Sequence, residues 1–373
     1  MRWLRPTLQL VVLFNIFFTV AADAAETSYY KGKTLNVLVN FAAGGLTDIE
    51  GRLVAKYLPR FIPGNPAAIV NNMPGAGGII ATNYLGEMVK PDGLTMSYFT
   101  GNFFNILLAD PVLRVDLAKF AYIASIEGSS VAYIRKDVPP GLSSPQDILK
   151  AQTFRTGGLT AVSTKDVRFR LQLDLLGAKY SYVTGYVSNT DARLALQRNE
   201  IQFFVEGLPA YRASIEPEMV KTGVVIPLYV NELLGEDGEL EANSDAPDLM
   251  PFAKLYQSIH KKAPSGRHWD ALKATYIAQA MQRVVMMTPG TPPEIVATMR
   301  RAFTAMMKDS EYVAEFRKVT RSEPEYKVGI SGDKIVQKLQ NTPEDIRAFI
   351  KKYTENTSKR AGQITGPSSE RPK

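Results

Sequence analysis

Cysteine is absent from the 373 residues, and histidine occurs only twice, at His260 and His268. Disulfide staples, thiolate metal sites and a cysteine nucleophile are excluded, and two imidazoles leave little for zinc ligation or proton shuttling. Long apolar runs are scarce too. Leu8 to Val20 is thirteen residues long and includes Gln9 and Asn15, short of the roughly twenty apolar residues that a spanning helix needs. With Arg2 and Arg5 before it and Ala22-Asp23-Ala24 after it, the run reads as a cleavable export signal, residues 1–24. The mature chain is then expected outside the cytoplasm.

What is present is globular: 45% hydrophobic and 22% charged residues exclude disorder as the main state, and the length suits two or three units or one bilobed molecule. The formal charge of +7 raises nucleic acid as a partner, but residues 1–24 carry +1 and residues 351–373 carry +4, leaving only +2 over residues 25–350. A nearly balanced body argues against nucleic acid. Any anion must be drawn by local groups instead.

Past the signal, strands and helices alternate. Thr34–Val39 reads as a strand, Phe41 to Asp48 as a glycine turn, and Ile49, Leu53 and Tyr57 as one helical face. The unit repeats with Ala68–Val70, the turn Asn71 to Gly78 and a helix over Ile79–Val89; a third strand, Thr95–Phe99, follows the Pro91-Asp92-Gly93 turn. Tyr122 to Ile134, interrupted at Gly128-Ser-Ser130, could cross into a second, similar lobe. There a helix over Ser144–Lys150, a loop Gly157 to Ser163, a helix Thr164–Leu176, strands Tyr180–Val183 and Gln202–Val205, and a helix Asp191–Gln197 are expected. Asn231–Asp248 reads as an exposed acidic loop, Val284–Met287 as a strand returning to the first lobe, Glu294–Lys308 as a helix, and the chain beyond Asn356 as a disordered tail. Such alternation favours mostly parallel sheets, whose ligands bind at the carboxyl ends of the strands.

The glycine turns carry the most readable chemistry. Thr47 and Glu50 have capping-box spacing, and Gly44 and Gly45 allow backbone N–H groups to converge where a helix start attracts anions. Generic capping would produce the same pattern, and Asp48 and Glu50 must point away from a ligand carboxylate or meet a cation. Gly75-Ala-Gly77 lacks the rest of a dinucleotide fingerprint, because Ile80 stands where a third small residue is needed. In the second lobe Ser163 and Asp166 have near capping-box spacing, while Arg168 and Arg170 suggest solvation or surface salt bridges. No Gly-x-Ser-x-Gly elbow occurs, and nothing selects a catalytic pair from 37 acidic residues. Binding without chemistry fits better than the alternative, an exported hydrolase using a carboxylate pair.

As a set, Phe41 to Arg52, Asn72 to Gly78, Pro91-Asp92-Gly93, Gly185-Tyr186-Val187-Ser188 and Thr291 to Val296 with Phe303 and Lys308-Asp309 resemble the extracytoplasmic solute receptors of tripartite tricarboxylate transporters. The resemblance spans roughly Tyr29 to Val319. It implies a periplasmic α/β protein of two-lobed binding-protein fold, each lobe a mostly parallel sheet flanked by helices, with a hinge and an interlobe cleft. Lobe 1 would comprise residues 25–128 and 255–356, lobe 2 residues 129–254, and the tail residues 357–373. A monomer without metal or cofactor would close on a small organic acid and deliver it to membrane permease subunits. Carried over by position, Phe41, Ala42, Ala43, Gly44, Gly45, Thr47 and Asp48 would meet one ligand carboxylate, and Pro74, Gly75, Ala76, Gly77 and Gly78 would wall the cleft. Gly158, Leu159, Thr160, Ser163 and Tyr186 would grip the remainder, with Thr100 and Glu206 completing the set. Ser188 replaces a usual Gly, and Gly157-Gly-Leu-Thr160 a usual Gly-Ser-x-Gly.

Overall fold

The structure, a computed structural model, describes residues 29–361 except 187, 236–238 and 321–322; the expected export signal lies outside the described residues. Strands Thr34–Val39 (β1), Ala67–Asn72 (β2) and Thr95–Thr100 (β3) run parallel in the order β2-β1-β3. Alternation along β1 puts Leu35, Val37 and Val39 into one core and Leu38 into another, as the two-residue period of a strand requires. The crossover helices separate in the same way: Leu53 and Val54 of Leu46–Tyr57 join the first core, Ala81 and Leu85 of Ile79–Glu87 the second. Right-handed crossovers demand this, since β1 to β2 and β2 to β3 step in opposite directions across the sheet.

The chain does cross between lobes where the β-rich run is interrupted. Ala121–Ile126 (β4) belongs to the six-stranded first sheet and Ser130–Arg135 (β5) to a five-stranded second sheet with Phe154–Gly158 (β6), Tyr180–Thr184 (β7), Phe203–Gly207 (β8) and Val225–Val230 (β9). Both sheets are mixed rather than mostly parallel. Arg283–Met287 lies antiparallel between β3 and β4, and β5 lies antiparallel between β8 and β9. Strands on the interlobe connections run against those fed by crossover helices, so only the β-α-β halves keep parallel pairing.

One core is shared. It runs from Leu38, Phe99 and Phe103 through Leu272 and Tyr276 to Phe203 and Phe154 in the second lobe. The helix Arg267–Gln279 packs along Thr164–Leu176, and the helix Glu344–Ala361 also reaches the second lobe, where Tyr353 donates to Asp174 at 2.5 Å. By contrast, Pro293–Met306 and Ser310–Thr320 bury Met299, Phe303 and Phe316 against the first sheet.

The expected acidic loop is exposed at Glu239, Glu241, Asp245 and Asp248 but not throughout. Within 231–248, Asn231, Glu232 and Asn243 are buried; Asn231 accepts from Gln172, and Asn243 donates to the Asn231 carbonyl. Their polar composition reflects an internal network rather than solvation. The C-terminal helix Glu344–Ala361 runs into the start of the expected tail, and the Thr357 hydroxyl accepts from buried Arg170. Among the described residues no helix is long and apolar enough to cross a membrane.

Candidate functional site

In the first lobe the helix start differs from the expected capping box. The helix begins at Leu46 with Gly45 as its N-cap and no side-chain cap, so Thr47 lies inside the first turn. Thr47 is buried with its hydroxyl 2.9 Å from that of Thr100, and Glu50 turns inward to Arg283. Asp48 takes the Gly44 N–H at 2.8 Å, together with Arg52 and Asn72. Burial pushes the Asp48 carboxyl up, but the hydrogen bonds from Arg52, Gly44 and Asn72 outweigh it and hold it below the usual carboxylate range. Both acids that could repel an anion are thus engaged by cations. Phe41, Ala42, Ala43, Gly44 and Gly45 stay exposed above them.

Asparagines that sequence reasoning missed, buried Asn40 and half-buried Asn72 and Asn102, hold the loops together. Asn40, directly after β1, accepts from the Thr100 N–H at 3.0 Å and donates to the Thr100 carbonyl at 2.9 Å. Asn72 donates to the Phe41 carbonyl, and Asn102 to that of Gly77. Pro74, Ala76 and Gly77 are exposed, Gly75 is half-buried and Gly78 is buried. Gly78, with φ +96°, is the N-cap of Ile79–Glu87, again without a side-chain cap. A Cβ there would stand 2.3 Å from the Asn40 amide nitrogen, whereas at Gly77 (φ +62°) it would meet nothing within 4 Å. Gly78→Ala is therefore expected to lose about 1–3 kcal/mol in urea unfolding. Gly77→Ala should lose only about 1–2 kcal/mol, the left-handed backbone cost alone.

In the second lobe both corresponding helices are capped. The Ser163 hydroxyl accepts from Asp166 N–H, and that of Ser188 from Asp191 N–H. Ser188, the departure from the resembled pattern, thus has a capping role. Asp166 does not complete a reciprocal box: its Oδ2 accepts from Thr160 N–H at 3.0 Å and Tyr182 hydroxyl at 2.8 Å. Burial raises its carboxyl despite Lys165 and Tyr182 nearby. Gly158 leaves room for this, since a Cβ would lie 2.4 Å from that oxygen. Leu159 accepts from Gly185 N–H, and Gly158 from Tyr186 N–H at 3.4 Å, which brings the half-buried Tyr186 beside the loop. Glu206 is buried, its Oε2 3.9 Å from Arg193 and without a hydrogen-bond partner.

Arg168 and Arg170 are neither solvated nor in surface salt bridges. Both are 2% exposed. Arg170 donates to the Ala161 carbonyl beneath the 159–163 loop and lies between the Tyr182 and Tyr353 rings. Arg168 bonds the Thr275 carbonyl and Gln279. The histidines are structural: His260 lies against Tyr256 and His268 against Phe349. Among the described residues no three His, Asp or Glu side chains converge as a metal centre would need. Nor does any hydrogen bond among them join the first-lobe loops to the second-lobe loop.

No protein-family model matches the chain. A UPF0065 protein from Cupriavidus necator is 22% identical over 333 residues, 88% of this chain and 90% of that one. Protein BugT from Bordetella pertussis is 33% identical over 90 residues, 24% of this chain and 27% of that one. Among solved structures, a TctC solute-binding protein from Polaromonas covers 88% of this chain and 99% of its own at 20% identity, with a TM-score of 0.62. The periplasmic binding protein BugD covers 89% and 99% at 18% identity (TM-score 0.52), and R. palustris Rpa4515 with adipate 88% and 97% at 19% identity (TM-score 0.51). By sequence the chain is similar to UPF0065 and Bug proteins, and it shares the two-lobed fold of the TctC solute-binding protein.

Proposed function

We propose that the chain is a periplasmic solute receptor that binds one small carboxylate between its lobes and delivers it to a tripartite tricarboxylate-type membrane permease. One observation carries the reading. The two first-lobe helices, Leu46–Tyr57 and Ile79–Glu87, start at glycines with no side-chain cap, whereas the two in the second lobe are capped by serines. The uncapped start at Leu46 keeps N–H groups and a partial positive charge for an anion, whereas at the second helix the Ala76 carbonyl already takes the Ile79 N–H. The exposed Phe41 to Gly45 loop and Ala76-Gly77 lie at those starts, and the second-lobe loop and Tyr186 would close over the rest of the ligand. The adipate held by the neighbour of like fold supports a carboxylate.

We assign residues 29–128 and Arg283–Val328 to the first lobe. Residues 129–230, with the helices Phe252–His260, Arg267–Gln279 and Glu344–Ala361 packed on them, form the second. The hydrolase alternative has little support: Asp48 and Glu50 are tied to Arg52 and Arg283, and the like-folded neighbours are named as binding proteins.

A thermal-shift screen of mono-, di- and tricarboxylates tests the reading. An acid at a hundred times its Kd should add about 2.7 kcal/mol of stability. A response to sugars or cations but to no acid would sink it. Tyr186→Phe is expected to weaken the acid that binds by about 3- to 10-fold with little change in unliganded stability; unchanged affinity by calorimetry would remove Tyr186 from the site.

A further inference from the structure

The first sheet ends on an open strand. Among the described residues β2 pairs only with β1, in unbroken register from Ala67 to Asn72. The Ala67 and Met73 N–H groups bond the Lys33 and Val39 carbonyls, so by alternation Ala68, Val70 and Asn72 turn their own N–H and C=O groups outward. Sheet edges are ordinarily guarded by a charge, a proline or a bulge. The strand Ala-Ala-Ile-Val-Asn-Asn has none of these.

Apolar side chains are exposed beside this edge. Asn36 and Leu38 of β1 stand in register with Ile69 and Asn71, and Leu38 shares a core with Ala81 and Leu85 of the helix Ile79–Glu87. Ile69 therefore lies on the face of the sheet that this helix covers. The strand residues in that core, Leu38 and Phe99, belong to β1 and β3, and Ile69 on the outer strand is left 50% exposed. Ile80, Tyr84 and Met88, four residues apart, form an exposed stripe along the same helix. A lone exposed apolar residue needs no explanation, but a stripe next to an open strand edge marks a contact surface.

Charge decides which occupant fits. Neither β2 nor the stripe carries a charged residue, so an acidic or basic partner finds nothing to pair with, whereas a second copy of the chain meets no like charge. We propose that two copies join at this edge, β2 against β2 in antiparallel register about a two-fold axis at Val70. The axis sets Val70 opposite its counterpart and Ala68 opposite the second copy's Asn72, each pair exchanging both N–H···O bonds. On the helix-covered face the two Ile69 side chains come within diagonal reach of each other. A stable interface buries about 800 Å² per partner, more than one strand edge supplies, so the stripe is part of it. Such an isologous contact closes at two copies, in place of the monomer that the resemblance implies.

Sedimentation velocity of the mature chain from about 1 to 100 µM tests this on wild type, Ala68→Pro and Ile69→Lys. Proline at 68 deletes an N–H that β1 does not use, so the strand itself is kept. Lysine at 69 sets like charges across the axis. Wild type is expected to sediment as a dimer in the upper part of the range, and each variant to associate about 10- to 100-fold more weakly. Circular dichroism checks that both fold; Ile69→Lys, at an exposed position, keeps the test decisive should Ala68→Pro not fold. A wild type that stays monomeric at about 100 µM overturns the proposal. Association of unchanged strength in a folded variant overturns it too, because the copies would then meet elsewhere. Growth beyond two copies would likewise exclude a closed two-fold edge.

Discussion

Glu50→Gln is expected to lose about 3–5 kcal/mol of unfolding free energy, the cost of leaving a buried charge without its partner. Glu50 is 5% exposed, and its Oε2 receives both the Arg283 guanidinium and the Tyr98 hydroxyl at 3.2 Å. Glutamine keeps the volume and an oxygen for Tyr98, so the loss reports the charge rather than a cavity. It strands Arg283, whose remaining partner is the Thr100 hydroxyl at 3.1 Å, a neutral acceptor. Urea unfolding monitored by circular dichroism should show a lower midpoint with an unchanged slope. Glu50→Leu combined with Arg283→Met should recover most of the loss, because removing both charges also removes the desolvation penalty. A single variant within 1 kcal/mol of wild type would show that the pair has no net role.

The same pair explains why the first-lobe site was only half legible. The Phe41 to Asp48 turn and the Asn72 to Gly78 loop are visible in sequence because glycine clusters after short β-rich runs are local signals. The capping box was misread because Thr47 and Glu50 have the right spacing but answer to partners far along the chain: Thr100 and Arg283. Asn40 and Asn102 carried no local signal at all, since an asparagine after a strand is equally at home in a solvated turn. The strands were placed well wherever β-branched runs were bounded by turns, and the interlobe crossing at Gly128-Ser-Ser130 was recovered. The antiparallel insertion of Arg283–Met287 between β3 and β4 was not, because pairing between strands so distant leaves no periodic trace. Arg168 and Arg170 were misplaced for a related reason. A charged residue in a helix is usually solvated, and only the aromatic rings and carbonyls supplied by other segments make burial tolerable.

Arg168→Met should lose about 2–4 kcal/mol near neutral pH, and less as the pH falls toward 4. Arg168 joins the lobes' shared core through Thr275 and Gln279, and its guanidinium lies 4.8 Å over the Tyr276 ring. Methionine keeps the apolar stem but leaves Gln279 Oε1 without this donor, which sets the pH-independent part. The remainder comes from Glu232, which is 4% exposed. Burial raises its carboxyl, against the Ala253 N–H, the Tyr276 hydroxyl and the Arg168 charge. Without Arg168 the folded-state pKa rises further, so the folded variant holds this proton to higher pH than the unfolded chain does. For a raised carboxyl, stability is fully present below the unfolded value, about 4.3, and is lost as pH rises through the folded value. The deficit of Arg168→Met relative to wild type must therefore widen between acidic and neutral pH. Urea unfolding of both proteins at pH 4.5 and 7.5 checks this. An equal deficit at the two pH values would mean that Arg168 acts through its hydrogen bonds alone and leaves the Glu232 equilibrium untouched.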